Sequence, residues 1–79
     1  MRVYKIFNIG DNVQFNTEWF PARQNDIAEV TKEQPLKIGI IYCFELKNTG
    51  QKIYLHNSES WIINKITWAF LKNLQKCYL

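Results

Sequence analysis

The sequence predicts an α+β fold, in which an antiparallel sheet of four to five strands packs against a long C-terminal amphipathic helix. Alternating apolar and polar residues in the first two thirds of the chain predict the strands, and short polar turns separate them. The last third instead repeats apolar residues at helical spacing. With 79 residues, of which 47% are hydrophobic, the chain is expected to form a single compact domain over residues 1–79.

The first predicted element is a β-hairpin near the N-terminus. Residues 2–9 alternate loosely, as in a strand that has neighbours on both sides. Gly10 and Asp11 supply a turn, because these residue types tolerate the backbone angles that tight turns need. Residues 12–15 then alternate polar and apolar side chains and are expected to return as a short strand.

Residues 16–25 are predicted to form a loop that carries two aromatic side chains, Trp19 and Phe20, directly before Pro21. The two rings either cover the core or project towards a partner, and a small chain with few core residues favours covering. If the loop projects, Arg23 could stack on an aromatic ring or bind a phosphate or carboxylate group.

The middle of the chain contains one ambiguous segment and one clear hairpin. Residues 26–34 fit one or two helical turns and a strand about equally well, and Pro35 ends either element. Residues 36–47 alternate clearly, pass through a glycine-containing turn at residues 48–50 and return over residues 51–56. The side chains expected on the buried face of the first of these strands are Ile38, Ile40, Tyr42, Phe44 and Leu46.

The predicted helix runs from Ser58 to Cys77 and has two distinct faces. Asn57, Ser58 or Ser60 can cap its N-terminus by accepting hydrogen bonds from free amides of the first turn. The apolar face consists of Ile62, Ile63, Ile66, Ala69, Phe70, Leu74 and Cys77. The second face consists of Trp61, Lys65, Trp68, Lys72 and Lys76. Lysines alone are typical of a solvent-exposed face, but two tryptophans beside them indicate a binding surface, unless other parts of the domain or a second copy cover them.

A second fold remains possible. Gly10-Asp11-Asn12-Val13, a middle strand and then a long hairpin with a polar turn together resemble the strand order of SH3-like barrels. This resemblance covers the middle of the chain and implies a partly open SH3-like barrel followed by the C-terminal helix. It implies no functional role for any residue.

Charge narrows the possible partners only slightly. The formal net charge is +3 and the sequence pI is near 9.0, which is a mild basic bias. A protein that imitates DNA would instead carry a large excess of Asp and Glu. No acidic residue follows Glu59, so the predicted helix forms the basic end of the molecule.

Cysteine usage and polar interruptions favour a cytoplasmic protein. Cys43 and Cys77 lack the spacing of a metal site and are expected to be buried free thiols, with a disulfide between strand and helix as the alternative. Polar residues from Asn8 onwards argue against a signal peptide. Asn64 and Lys65 interrupt the single candidate for a membrane span.

No catalytic, metal or cofactor motif is found, so we do not expect an enzyme. His56 is the single histidine, and it is expected to be a surface or capping residue rather than part of a Cys-His pair. The three glycines stand apart, so no phosphate-binding loop is indicated, and the seven acidic residues show no recurrent spacing. No cofactor and no metal ion are therefore expected.

The favoured function is a small protein-interaction module that occupies a surface of another protein. Trp and Arg often dominate the energetics of such interfaces. The candidate partner-binding residues are Trp61, Lys65, Trp68, Lys72, Lys76, Trp19, Phe20 and Arg23. Small proteins of this type are often inhibitors or adaptors. The Asn-, Lys-, Ile- and Tyr-rich composition is common in AT-rich genomes, including phages and plasmids, which suggests an inhibitor of a host or defence enzyme.

Three alternatives use the same residues. Lysines and indoles can bind single-stranded DNA or RNA, by neutralising phosphates and stacking on unpaired bases. A homodimer could instead form through the tryptophan face. Interfacial membrane binding is the least favoured alternative, because the small domain needs the apolar face of the helix for its own core.

Overall fold

The computed structural model describes residues 5–66, which form a curled, antiparallel five-stranded sheet shaped like half a barrel. The strand order in the sheet is β4-β3-β2-β1-β5. The elements in chain order are β1 (Asn12–Phe15), β2 (Ile27–Pro35), β3 (Ile40–Leu46), β4 (Lys52–His56), a 3-10 helix (Asn57–Ile62) and β5 (Ile63–Ile66).

Strands β2, β3 and β4 form a meander, and β1 lies between this meander and β5. β3 pairs with both β2 and β4, whereas β1 lies between β2 and β5. The register between β2 and β3 shifts between Val30 and Lys32, and such an irregularity bends a strand.

The core packs on one face of the curled sheet and consists of aliphatic and aromatic side chains. Its aromatic centre is Phe7, which packs edge-to-face on Tyr42 at 5.1 Å and on Phe44 at 5.7 Å between ring centroids. The buried core residues among those described are Phe7, Val13, Phe15, Ala22, Ala28, Val30, Tyr42, Phe44, Leu46, Ile53, Leu55, Ile62 and Ile63.

The prediction of a long helix from residue 58 is wrong over the part of it that the structure describes. Residues 57–62 form a 3-10 helix and residues 63–66 form β5. The predicted α+β fold and the predicted SH3-like barrel both included the long helix, so both predictions are wrong in this respect. Ile62 and Ile63 are both buried, and β-branched residues suit a pleated strand. Pairing with β1 therefore outweighs the helical spacing of the sequence. Residues 67–79 lie outside the described part of the chain.

The predicted N-terminal hairpin is also wrong over the part of it that the structure describes. Residues 5–8 are not a strand, although Phe7 is buried. A turn does form, but it is centred on Ile9 and Gly10, and the Asp11 amide closes it by donating to the Asn8 carbonyl at 3.0 Å. The Gly10 amide donates to the Val30 carbonyl at 2.8 Å. This bond fixes the start of β1 against β2. β1 therefore pairs with β2 and β5 and not with residues 2–9, as the hairpin prediction required.

The ambiguous segment is a strand, and the second predicted hairpin forms. Residues 26–34 contribute to a strand, which ends at Pro35. β3 and β4 form the predicted hairpin, in which Ile53 and Leu55 are buried. Ile38, however, is 75% exposed because the chain turns at Gly39 before β3 begins.

Among residues 5–66, no helix has the length and apolar character needed to cross a membrane.

Candidate functional site

The structure brings together two of the predicted binding residues, Trp19 and Trp61, which we call the aromatic pair. Their rings pack edge-to-face, with centroids 6.3 Å apart and planes inclined at 86°. Trp19 is half-buried against the core, whereas Trp61 is 67% exposed. Edge-to-face packing stabilises such a pair by about 0.5–1.5 kcal/mol beyond the buried area. Trp19 therefore supports an indole that remains open to solvent.

A tight turn places Trp19 against the core and Phe20 away from it. The Trp19 amide donates to the Ala22 carbonyl at 3.0 Å, and the Ala22 amide donates back at 2.8 Å. Ala22 is buried, and the peptide bond between Phe20 and Pro21 is cis. Phe20 lies at the tip of the turn and is 89% exposed. The two predicted alternatives thus divide between adjacent residues: Trp19 covers the core and Phe20 projects.

The 3-10 helix that carries Trp61 is capped by His56. The Ser58 amide donates to His56 Nδ1 at 3.1 Å, and the His56 amide donates to Glu59 Oε1 at 3.0 Å. These two reciprocal bonds form a capping box, which satisfies amides that the short helix leaves free. The prediction of a capping role for His56 is confirmed.

His56 and Asn57 also join the 3-10 helix to the turn between β2 and β3. His56 Nε2 lies 2.8 Å from the Ile38 carbonyl oxygen, and Asn57 Oδ1 accepts a hydrogen bond from the Ile40 amide at 3.0 Å. Gly39 lies directly against the imidazole ring, with no room for a side chain. The start of the helix is therefore fixed from two sides.

Asn16 links the backbone of Trp61 to the loop that carries Trp19. Its side-chain amide donates to the Trp61 carbonyl at 2.8 Å, and its backbone amide donates to the Ile62 carbonyl at 2.9 Å. Sequence analysis missed this role of Asn16, because an asparagine at the start of a loop gives no sign of its distant partner. The aromatic pair is consequently held by backbone contacts as well as by ring packing.

Lys65 does not join the aromatic pair. A strand rises about 3.3 Å per residue, so Lys65 lies near the far end of β5 from Trp61 rather than one helical turn away. Its ammonium nitrogen lies 3.2 Å from Asp11 Oδ2. The predicted stripe in which Trp61 and Lys65 share a helix face is therefore wrong.

The environment of Asp11 favours its charged form. The hydrogen bond from the Asn8 amide, at 2.8 Å, is the main cause that lowers the pKa of this carboxyl group. Partial burial opposes this effect, and the nearby ammonium groups of Lys65 and Lys5 support it. Lys65 thus faces a carboxylate that is ionised at neutral pH.

Phe20 and Arg23 line a depression between their loop and the turn that joins β3 to β4. Its volume is about 530 Å³. Asp26 organises the site by accepting hydrogen bonds from the Arg23 amide at 2.9 Å and from the Asn48 side chain at 3.4 Å. Neither indole of the aromatic pair lines this depression. Arg23 and Phe20 therefore belong to a second surface.

The described part of the chain carries no excess of charge. Seven of the ten basic residues and all seven acidic residues lie within residues 5–66. The formal excess of +3 belongs to Arg2, Lys72 and Lys76. The aromatic pair thus belongs to a part of the chain, residues 5–66, whose formal net charge is zero.

Trp68, Lys72, Lys76 and Cys77 lie outside the described residues. Cys43 is a buried free thiol, as expected. Within residues 5–66, no group of three or more His, Cys, Asp or Glu side chains is arranged to hold a metal ion.

Comparisons of the chain with models of protein families, with curated proteins and with solved structures found no match.

Proposed function

We propose that this chain is a small, non-enzymatic protein-interaction module that binds another protein through the aromatic pair. The supporting observation is that the Trp61 indole is 67% exposed and yet held by Trp19 and Asn16. An exposed ring that is already fixed loses little conformational freedom on binding, and tryptophan is the residue type most enriched at interface hot spots. An inhibitor or adaptor that covers a surface of its partner would act in this way.

The charges of the described residues favour a protein partner over a nucleic acid. Binding to DNA or RNA depends on cations that neutralise phosphates. Lys65 lies against Asp11, and formal charges cancel over residues 5–66. A partner that covers Trp61 with apolar side chains needs no such cations.

The test is affinity capture with three forms of the protein from a lysate of cells in which it is naturally made. Trp61→Ala removes the exposed indole, and Tyr54→Ala is a matched control because Tyr54 is a 64% exposed aromatic residue outside the aromatic pair, on the edge strand β4. We expect one protein partner to be retained by the wild type and by Tyr54→Ala, to be lost with Trp61→Ala, and to survive nuclease treatment. Equal retention by all three forms would contradict the proposal.

Salt dependence separates the two kinds of partner. A complex that depends on six or more phosphate contacts loses about 10³-fold or more in affinity between 50 and 200 mM salt. We expect the affinity of the captured partner to change by less than about threefold over this range, since buried apolar contacts are not screened. A steep loss, or recovery of nucleic acid alone, would support the nucleic-acid alternative instead.

Sedimentation distinguishes a foreign partner from a second copy. A purified wild type that is monomeric at the concentrations used for capture supports a foreign protein. A dimer that Trp61→Ala dissociates without unfolding would assign the aromatic pair to self-association.

A further inference from the structure

We propose that the partner binds as an extended strand added to the outer edge of β5, with an apolar side chain of the same segment packed on Trp61. This inference rests on the proposed function and specifies how the partner is recognised. Edge strands bind extended peptides through backbone hydrogen bonds, while neighbouring pockets select the side chains.

The hydrogen bonds of β1 determine which residues of β5 face outwards. The Phe15 backbone faces β2, since its amide donates to the Asp26 carbonyl at 2.9 Å and its carbonyl accepts from Asn25 at 2.7 Å. Asn16 faces the other way, and its amide donates to the Ile62 carbonyl at 2.9 Å. Successive residues of a strand alternate in this direction.

The same alternation continues along β5. The register aligns Gln14 with Asn64 and Val13 with Lys65. Ile62 and Asn64 therefore direct their backbone groups towards β1, whereas Ile63 and Lys65 direct theirs to the outer edge. Among residues 5–66 no further strand lies beyond β5.

Lys65 is the residue of this edge that offers both a donor and an acceptor. The Ile63 amide already donates to the Ser60 carbonyl, which leaves the carbonyl of Ile63 facing outwards. The Lys65 side chain lies against Asp11, so what Lys65 presents at the edge is its backbone. One residue of an antiparallel strand can pair with it through two hydrogen bonds.

Trp61 is closer along the chain to β5 than to β4, which favours β5 as the binding edge. β5 begins two residues after Trp61, and a partner segment of about five extended residues would reach from Lys65 to the indole. β4 also has a free edge within the described residues, with Tyr54 64% exposed, but β4 ends at His56, five residues before Trp61. The expected ligand is an extended segment with an apolar or aromatic side chain near one end.

The test uses linear nine-residue peptides selected from a phage-displayed library on the wild-type protein. Lys65→Pro removes the outward amide and spares the bonds to β1, whereas Lys65→Ala removes the ion pair with Asp11 and keeps that amide. Tyr54→Pro is the matched change on the β4 edge. We expect selected peptides to bind Lys65→Pro at least about tenfold more weakly than Lys65→Ala, because a buried peptide carbonyl is left unpaired.

The outcomes separate this inference from the proposed function. Peptides that lose affinity for Trp61→Ala but bind Lys65→Pro and Lys65→Ala equally would leave the proposed function standing and overturn strand addition. Peptides that need Tyr54 instead of Lys65, or a library that yields no binder, would also overturn it. Peptides weakened by both Trp61→Ala and Lys65→Pro, but by neither control, support it.

Hydrogen exchange of the wild-type protein gives an answer that does not depend on the folding of a proline variant. Adding a selected peptide is expected to slow exchange of the Lys65 amide at least about tenfold and to leave the Tyr54 amide unchanged. A Lys65 amide that is already protected in the free monomer, or that the peptide does not protect, would overturn the proposal.

Discussion

Individual polar side chains fix the position of the aromatic pair. Asn16 binds the carbonyl of Trp61, and His56 caps the helix on which Trp61 lies. Asp11 holds Lys65 at the far end of β5. The contacts of Asn16 and Asp11 do not follow from spacing along the chain, because each partner lies on a distant element, whereas the His56 cap is local. The candidate residues could be selected from their type, but their neighbours could not.

Asp11→Asn is expected to lower stability at neutral pH and to matter less in acid. The lowered pKa of Asp11 means that the folded state stabilises the carboxylate, so this contribution is present above about pH 4 and is lost as the pH falls through the lowered pKa. We expect a loss of about 0.5–1 kcal/mol at pH 7. Urea unfolding of both forms from pH 7 to pH 2 measures the difference, and a difference that grows in acid would contradict this explanation.

Gly39→Ala is expected to destabilise the protein more than Gly50→Ala. Both glycines have positive φ, +92° for Gly39 and +77° for Gly50, so both variants share the cost of an alanine in this conformation, about 1 kcal/mol. At Gly39 the new methyl group would also collide with the His56 ring, whereas the space at Gly50 is open. We expect a loss of about 2–4 kcal/mol for Gly39→Ala. Equal midpoints in thermal unfolding would show that Gly39 does not contact His56.

At the scale of elements, local alternation identified strands better than it identified their partners. The β3–β4 hairpin was predicted because two alternating runs flank a glycine turn, and the pairing is local. β1 was predicted as a strand but assigned to the wrong neighbour, since its partners lie in β2 and in β5. The segment from residue 58 was misassigned because Ile62, Ile63 and Ile66 fit a helical face, while long-range pairing selected a strand.

Lys65→Pro distinguishes a strand edge from a helix by its effect on stability. A proline inside a helix costs about 3 kcal/mol or more, whereas an edge strand tolerates it where the amide faces outwards. We expect Lys65→Pro to be within about 1 kcal/mol of Lys65→Ala in urea unfolding, because both variants lose the ion pair with Asp11. A penalty of 3 kcal/mol relative to Lys65→Ala would indicate a helix at this position.

At the scale of the whole molecule, the aromatic residues that stabilise the fold differ from those proposed to bind a partner. Phe44 is fully buried in the central part of the sheet and contacts Phe7, whereas Phe20 and Trp61 remain largely exposed. Exposed rings contribute little to the stability of a folded monomer, so they are available for contact with another molecule. The binding role inferred from residue type stays a prediction, and the surface proposed for it is built from a loop and a short 3-10 helix instead of a long helix.

Phe44→Ala and Phe20→Ala test this separation. Phe44→Ala should cost about 3–5 kcal/mol, a large share of the 5–15 kcal/mol that stabilises a typical domain. Phe20→Ala should change stability by less than about 0.5 kcal/mol, since its ring is 89% exposed. Urea unfolding monitored by circular dichroism measures both values. Comparable losses would mean that Phe20 packs in the core.

The central claim is that β1 pairs with β5. The position of the aromatic pair, the free edge of β5 and the replacement of the predicted helix by a strand all depend on this pairing. Nuclear Overhauser effects between the Hα protons of Val13 and Lys65 test it most directly, because residues opposite each other without mutual hydrogen bonds have Cα atoms about 4.5 Å apart. We predict this cross-peak, together with contacts between the indole protons of Trp19 and Trp61. Consecutive amide-to-amide contacts from Ser58 through Ile66, without the Val13–Lys65 cross-peak, would show a helix and contradict the proposed site.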